Sequence, residues 1–379
     1  VIFCSDNQFT ELPAVLGLCP NLEMVGFKSN KINLLCKESL PAELRWLILT
    51  DNQLRELPAE LGLRHRLQKL MLAGNQLQHL PEEMAACRNL ELLRLSANRF
   101  ESLPVWLLSL PRLTWLAVAG NPFSDLGEAA AVARQVILPI DWHLIDLKHK
   151  LGEGASGIIH QADWQYAVDG LIAVAVKLFK GAVTSDGLPR SEKAACIAAG
   201  AHPNLIAATG KISGHPDGVA GLVMPLVDAS FKSLAGPPSL ESCTRDIYLV
   251  DTKFSLNTAI SMAQGIAAAV EHLHEAGILH GDLYAHNMLW NGQGDCLLGD
   301  FGAASFIADA NQALALQRLE VRAFACLLEE LLERSTVAPE LKVKLDALWE
   351  LQRRCAQEKT DARPLFNEIR QTIESLNKN

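Results

Sequence analysis

Leucines in the first third of the chain recur on a fixed frame. Around Asn75 the run is Leu67, Leu70, Leu72, Asn75, Leu77, Leu80 and Pro81, and the pattern L-x-x-L-x-L-x-x-N-x-L-x-x-L-P returns with asparagines at 7, 30, 52, 75, 98 and 121. The intervals are 23, 22, 23, 23 and 23 residues. A period of this length predicts a stack of short strand-and-return units, each burying its leucines against its neighbours because none can bury them alone. The asparagine amide suits the turn after each strand, where it can bond backbone groups. Side chains alternate along a strand. The positions six, four and two before each asparagine therefore face away from the leucine core: Met24, Gly26, Lys28; Trp46, Ile48, Thr50; Lys69, Met71, Ala73; Leu92, Arg94, Ser96; Trp115, Ala117, Ala119.

This frame resembles the leucine-rich repeat family, an α/β solenoid that usually binds through its strand face. Trp46, Ile48, Met71, Leu92 and Trp115, with Arg94 among them, form an unusually apolar strip on that face. An exposed strip with tryptophan anchors marks a protein-docking surface. The same strip could instead pack against the chain's own second half, and the pattern alone leaves both readings open. After Asn121 the stretch from Leu126 to Ile137 reads as an Ala-rich helix that caps the open end of the array and prevents edge pairing. The expected organisation is repeats over 1–122, a helical cap and linker over 123–141, and a second domain from 142 to 379.

In the second part the pattern changes. From Leu144 to Phe179 it reads as strand, glycine turn, strand, turn and strand, an antiparallel meander. The turn is LGEGASG, with Gly152, Gly154 and Gly157 on a G-x-G-x-x-G frame. Because strand-like residues follow it and not a helix, it predicts a hairpin whose backbone N–H groups can approach phosphates. Lys177 ends the apolar strand VAVK and needs an anionic partner. Glu192, on the helical stretch SEKAACIAAG, is the candidate. LVMPLV (222–227) reads as a buried strand ending at Pro225, and a long helix from Ser255 to Glu275 leads to ILHGDLYAHNML. Asp282 and Asn287 lie five apart and Asp300 follows thirteen later, each beside an apolar strand fragment. Oxygen-bearing side chains gathered at strand ends suit a hard cation such as Mg2+ that bridges to phosphate.

These motifs together resemble the eukaryotic-type protein kinase fold over about residues 142–375: an α+β, two-lobed kinase-like domain with N-lobe 142–224, hinge 225–227 and C-lobe 228–379. The resemblance implies ATP and Mg2+ as cofactors. It places Gly152, Glu153, Gly154, Ser156 and Gly157 over the ATP phosphates, Lys177 on the α and β phosphates, and Glu192 orienting Lys177. It also implies Asp282 as the residue that accepts or orients the acceptor proton, and Asn287 and Asp300 as metal ligands. By the same resemblance Leu151, Ile159, Ala175 and Leu289 sandwich the adenine, Met224 takes the gatekeeper place and Leu226 offers hinge backbone.

Five departures from the kinase pattern stand out. Gly281 occupies the place between His280 and Asp282 where an arginine usually grips an activation-loop phosphate. Between Asp300 and Glu320 the only hydroxyl residue is Ser305. Those two absences agree, and they predict activity that does not wait on activation-loop phosphorylation. No A-P-E motif precedes the helical run LEVRAFACLLEELLER, so the peptide platform is shortened and Arg363 lacks its usual glutamate; Glu329 and Glu330 are the available alternatives. Only 43 positions separate Glu320 from Arg363, which leaves little room for a substrate-docking helix. Tyr284 stands where Ser/Thr kinases usually carry Lys, and His286 where tyrosine kinases often carry Arg.

Composition narrows the classes. Hydrophobic residues make up 49% and charged ones 20%, as in a globular chain. A net charge of −9 with dispersed Lys and Arg argues against a nucleic-acid partner. Nine cysteines without a C-x-x-C pair read as free thiols of a reducing compartment, and no apolar run reaches a membrane span, since Gln264 and Gly265 interrupt the candidate between Ala259 and Val270. A cytoplasmic location is expected, with any targeting signal lying outside a sequence that begins at Val1 within a repeat. The leading expectation is an ATP-dependent Ser/Thr protein kinase that recruits a protein substrate or partner through its repeats. A small-molecule phosphotransferase, suggested by HGDL followed by Asn, and a nucleotide-gated scaffold are the alternatives.

Overall fold

The computed structural model describes residues 1–134, 137–167, 170–181, 183–307 and 309–378. The strands of the array are β1 (Ile2–Phe3), β2 (Met24–Gly26), β3 (Trp46–Ile48), β4 (Lys69–Met71), β5 (Leu92–Arg94) and β6 (Trp115–Ala117), parallel and in chain order in one sheet. Their registers align Val25, Leu47, Leu70, Leu93 and Leu116 in one row, and these leucines and the valine are buried in the array core. Short 3-10 turns such as Ala59–Leu63 close each unit. The asparagines act as the spacing predicts. Asn75 donates to Leu49 O at 2.8 Å and Leu72 O at 2.9 Å and accepts from Leu54 N at 3.0 Å, so one side chain stitches successive repeats.

Helix α1 (Pro122–Arg134) follows. It starts four residues before the expected Leu126, with Pro at its first position, where a missing N–H costs nothing. The expected end falls beyond Arg134, where residues 135 and 136 lie outside those described. Phe123 packs into the array core, and α1 also lies along the first helix of the second domain. The chain then adds β7 (Leu138–Asp141), which joins the second sheet parallel to β11 (Gly210–Ser213), so the end of the expected linker is a strand.

The second sheet contains β8 (Ile145–Glu153), β9 (Gly157–Ala167), β10 (Gly170–Phe179) and β12 (Gly221–Pro225), in the order β7-β11-β12-β10-β9-β8, with α2 (Pro189–Ala199) beside it. The lower lobe is helical. Short ribbons β13 (Lys232–Ser233) and β14 (Phe254–Ser255) precede α3 (Leu256–Glu275), which is capped by the Ser255 hydroxyl accepting from Thr258 N. Then come β15 (Ile278–Leu279), β16 (Met288–Trp290), β17 (Cys296–Leu298), β18 (Ser305–Phe306), α4 (Ala310–Glu333), β19 (Ser335–Thr336), α5 (Lys342–Cys355) and α6 (Phe366–Lys378). Among the described residues no helix is long and apolar enough to cross a membrane.

The strand-face strip is covered by the chain's own lower lobe, which decides between the two readings left open above. Met71, Leu92, Arg94 and Trp115 are 8%, 3%, 2% and 2% exposed. Met71, Leu92 and Trp115 belong to the same apolar core as α3 and α4, and Ile48 packs at its edge. Trp46 meets Phe3 edge-on and carries the Lys69 ammonium over its ring. In return Leu279, Leu316 and Leu319 of the lower lobe pack into the array core. Met71, Leu92, Arg94 and Trp115 therefore do not form a free docking surface. The physical reason lies in the segment after Asp300. It is even shorter than expected, because α4 begins at Ala310, well ahead of Leu319, and Leu316 and Leu319 of that helix pack on the array.

Candidate active site

The upper wall of the site is built by β8, β9 and β10. Gly152 and Gly154 have open space where a Cβ would stand, whereas at Gly157 a Cβ would meet Leu178 O at 2.6 Å. The first two glycines thus leave room above the cleft and the third permits close strand packing. Glu153 points outward to Lys180 at 2.7 Å and Lys150 at 3.1 Å, and these lysines hold its carboxyl down to about 2. Ser156 holds the base of the hairpin through its carbonyl, which accepts from Lys180 N at 2.8 Å. Antiparallel register sets Ala175 opposite Met224, and Lys177 opposite both Leu222 and Ile159. Met224 and Ala175 are buried, Ile159, Leu226 and Leu289 half-buried and Leu151 exposed. Leu289 lies in β16, paired with Ser233 just beyond the connection from the upper lobe.

Lys177 forms an ion pair with Glu192 of α2. Burial opposes the ammonium charge, but Glu192 and Asp300 hold the lysine above its ordinary range. Alternation of Val174, Val176 and Lys177 along β10 puts the valines into the upper core and turns the lysine to the other side, so that α2 can answer it.

The lower wall is the loop HGDLYAHN. Its backbone is fixed at several points. His280 Nε2 meets Gly299 O at 2.9 Å, and Gly281 N donates to Glu320 Oε1 at 2.6 Å. Glu320 in turn meets His274 Nε2 at 2.7 Å. Asn287 Nδ2 reaches both Asp282 O at 2.9 Å and Asp282 Oδ2 at 2.8 Å, so the amide is oriented with its oxygen free of any donor among the described residues. Asp300 is exposed, with the left-handed φ of 53° that non-glycine residues seldom adopt. Its Oδ1 accepts from Gly302 N at 3.1 Å, which holds the carboxylate over the turn. A carboxylate and an unengaged amide oxygen are hard donors, and they fit a magnesium ion.

Gly281 has a geometric reason to be glycine. Its φ is +73°, and a Cβ there would meet Ala303 O at 2.5 Å and Leu116 O at 2.7 Å. The second oxygen belongs to β6 of the repeat array. The residue in the usual arginine position is thus pressed against the solenoid.

Arg94 of β5 enters from the same side. It forms an ion pair with Asp282 Oδ1, donates to Gly281 O at 3.1 Å and pairs with Asp186 at 2.8 Å. Trp115 stacks on Tyr284 with centroids 4.1 Å apart and planes 8° apart, and its indole N–H donates to Leu283 O at 3.3 Å. Burial raises the Asp282 carboxyl above the ordinary range; Arg94 opposes that shift and Asp186 adds to it. His286 is held by Asp246 at 2.6 Å, which raises the imidazole despite its burial.

Arg363 pairs with neither expected glutamate. It is 1% exposed and donates to Gln357 O at 2.8 Å, Arg318 O at 3.0 Å and Pro111 O at 2.8 Å, the last in the repeat array. Glu329 and Glu330 instead hold Arg245. Arg363 therefore ties the lower lobe to the solenoid. Asp186, Asp246 and Glu320 are contributors that sequence reasoning missed. Glu320 alone left a trace, as a carboxylate interrupting an apolar helix. A cavity of about 830 Å3 lies at the seam of array and α4, lined by Val105, Leu108 and Ala315 among others, and includes none of Lys177, Asp282 or Asp300.

Comparison with known proteins agrees with this arrangement. A family model described as leucine rich repeat matches residues 42–100 and 65–123, and one described as protein tyrosine and serine/threonine kinase matches residues 145–335. Ephrin type-B receptor 3 of Gallus gallus is 26% identical over 46% of this chain and 17% of its own length. Cyclin-dependent kinase 11.1 of Caenorhabditis elegans is 26% identical over 42% of this chain and 21% of its own length. The serine/threonine-protein kinase US3 homolog of Cercopithecine herpesvirus 9 (strain DHV) is 38% identical over 17% of this chain and 19% of its own length. The chain therefore spans about a fifth or less of the length of these relatives. With repeats followed by a two-lobed domain whose model covers just over half of its length, the chain belongs to the protein tyrosine and serine/threonine kinase family and carries leucine-rich repeats ahead of the kinase domain.

Proposed function

We propose that the chain is an ATP-dependent protein kinase that transfers the γ-phosphoryl group to serine or threonine hydroxyls. The observation that carries this reading is the facing of two clusters, Lys177–Glu192 above and Asp282–Asn287 below, with Asp300 close enough to both Lys177 and Asp282 to act on their charge. In this reading the open glycine hairpin admits the phosphates, Lys177 holds the α and β oxygens, and Glu192 keeps the ammonium in place. Asp282 accepts a hydrogen bond from the acceptor hydroxyl and takes its proton as the hydroxyl oxygen bonds to the γ-phosphorus and the bond from that phosphorus to the bridging oxygen breaks, releasing ADP. Asn287 and Asp300 would hold magnesium, which would neutralise phosphate charge when bound. The division into repeats over 1–122, cap and linker over 123–141 and kinase domain over 142–379 serves this reading with one change, that β7 at the end of the linker already belongs to the second domain's sheet, and a cytoplasmic setting suits the nine free thiols.

We further read the kinase as independent of activation-loop phosphorylation. Ser305 is fully buried in β18, paired with Leu279, and so cannot be reached by another kinase. A second reading, transfer to a small alcohol, draws support from the repeat array covering the side of Asp282 where a peptide platform would lie. Labelled ATP supplied with protein acceptors, tyrosine-only and serine-only peptides, and small alcohols separates these. Label on serine, lost in Lys177→Met, supports the first reading. Label on tyrosine corrects the acceptor class, and label on small alcohols alone favours the second.

A further inference from the structure

The usual cation of the catalytic loop is missing from this loop's own sequence: position 284 is a tyrosine locked on Trp115, and His286 is turned to Asp246. Arg94, 188 residues away in the chain, brings a cation to Asp282 instead. We infer that Arg94 is a positioning residue for phosphoryl transfer, a cation lent by the repeat array that fixes Asp282 in the lower lobe and, through Asp186, the approach to α2 in the upper lobe.

Three features support a fixed pin over a removable lid. Arg94 is flanked on its own face by Met71, Leu92 and Trp115, which form part of the lower lobe's core, so lifting the array would open that core to water. The contact is spread over three acceptors: the Asp186 carboxylate, the Asp282 carboxylate and the Gly281 carbonyl. A planar guanidinium can satisfy such a set with one rigid fork. Finally, Asp282 keeps capacity for an acceptor. A carboxylate offers about four lone-pair directions, and only Arg94 and Asn287 donate to its oxygens among the described residues.

The link through Asp186 reaches the other half of the site. Asp186 lies in the segment between β10 and α2, and this segment rests on the array. A Cβ at Gly74 would meet Val183 at 2.8 Å, and one at Gly120 would meet Leu188 at 2.8 Å. Leu188 is the residue before α2, and its carbonyl accepts from Glu192 N at 3.2 Å in the helix's first turn. The array therefore braces the helix that presents Glu192 to Lys177, and Arg94 joins that brace to the catalytic loop.

This inference rests on the phosphoryl-transfer reading, and one experiment separates the two. Steady-state kinetics of the full chain with labelled Mg-ATP and a generic protein acceptor would be measured for wild type, Arg94→Ala, Arg94→Lys and Asp186→Asn. Arg94→Ala is expected to lower kcat by about 10²-fold with little change in KM for ATP, because positioning acts on the transition state and not on nucleotide binding. Arg94→Lys keeps the charge but not the fork, and it should recover part of that loss. Asp186→Asn, nearly isosteric and on a half-buried loop, should lower kcat several-fold. A rise in kcat for Arg94→Ala would make Arg94 an inhibitory cap and overturn the inference, as would wild-type kcat in all three variants. If Arg94→Ala does not fold, Arg94→Lys and Asp186→Asn decide, with their melting temperatures confirming the fold. Absence of transfer by wild type itself would instead overturn the kinase reading.

Discussion

Gly281→Ala probes how tightly the catalytic loop is held between the turn at Ala303 and the solenoid strand at Leu116. Two costs act on the added methyl. The first is conformational: at φ +73° a non-glycine residue is disfavoured by roughly 1–2 kcal/mol. The second is steric, since the Cβ would lie 2.5 Å from Ala303 O and 2.7 Å from Leu116 O, both backbone atoms held by strand and turn. Ordinary carbon contacts begin near about 3.5 Å, and forcing a methyl group into packed surroundings costs typically about 1–3 kcal/mol. Gly214 provides the control. Its φ is +70° and nothing lies within 4 Å of its ideal Cβ, so Gly214→Ala meets the conformational cost alone. Differential scanning fluorimetry of the full chain compares the two. At roughly 2–4 °C per kcal/mol for a large domain, Gly281→Ala should melt on the order of 5 °C below Gly214→Ala. Equal melting temperatures would refute the argument that the carbonyls of Ala303 and Leu116 crowd this position.

Three further outcomes follow from the same structure. Arg363→Met leaves the carbonyls of Pro111, Arg318 and Gln357 without their shared donor and should destabilise the chain by about 3 kcal/mol or more in urea unfolding. Glu330 is raised to about 7, chiefly by burial against the pull of Arg245. A folded-state pKa above the unfolded value gives stability that is full below about pH 4.5 and lost as pH rises through about 7, by about 3 kcal/mol. The melting temperature of Glu330→Gln should accordingly fall less than that of wild type between about pH 5 and pH 8, and parallel curves would count against this assignment. Ser305→Ala should retain full activity, and mass spectrometry of active wild type should find Ser305 unmodified.

The repeats were legible because their signal is local: a period of 22 to 23 residues with a leucine frame forces strand, turn and return in each unit. The pairing of Lys177 with Glu192 was legible for a similar reason, since a buried lysine demands a carboxylate and the next helix carried one. Arg94 was visible only as one charged position on a strand face. That it reaches Asp282, and that Trp115 reaches Tyr284 across 169 positions, depends on how two domains dock, which no local pattern encodes. Gly281 shows the difference most clearly. The sequence shows only that a side chain is missing there; the structure adds a φ of +73° and the carbonyls of Ala303 and of Leu116 on β6, which leave no room for one.

Transfer of labelled phosphate from Mg-ATP, compared between the full wild-type chain and Asp282→Asn, tests the central claim most directly. The account predicts transfer by wild type and a loss of about 10²- to 10⁴-fold in the variant, the usual cost of removing a positioned base. Equal rates in the two proteins would contradict it.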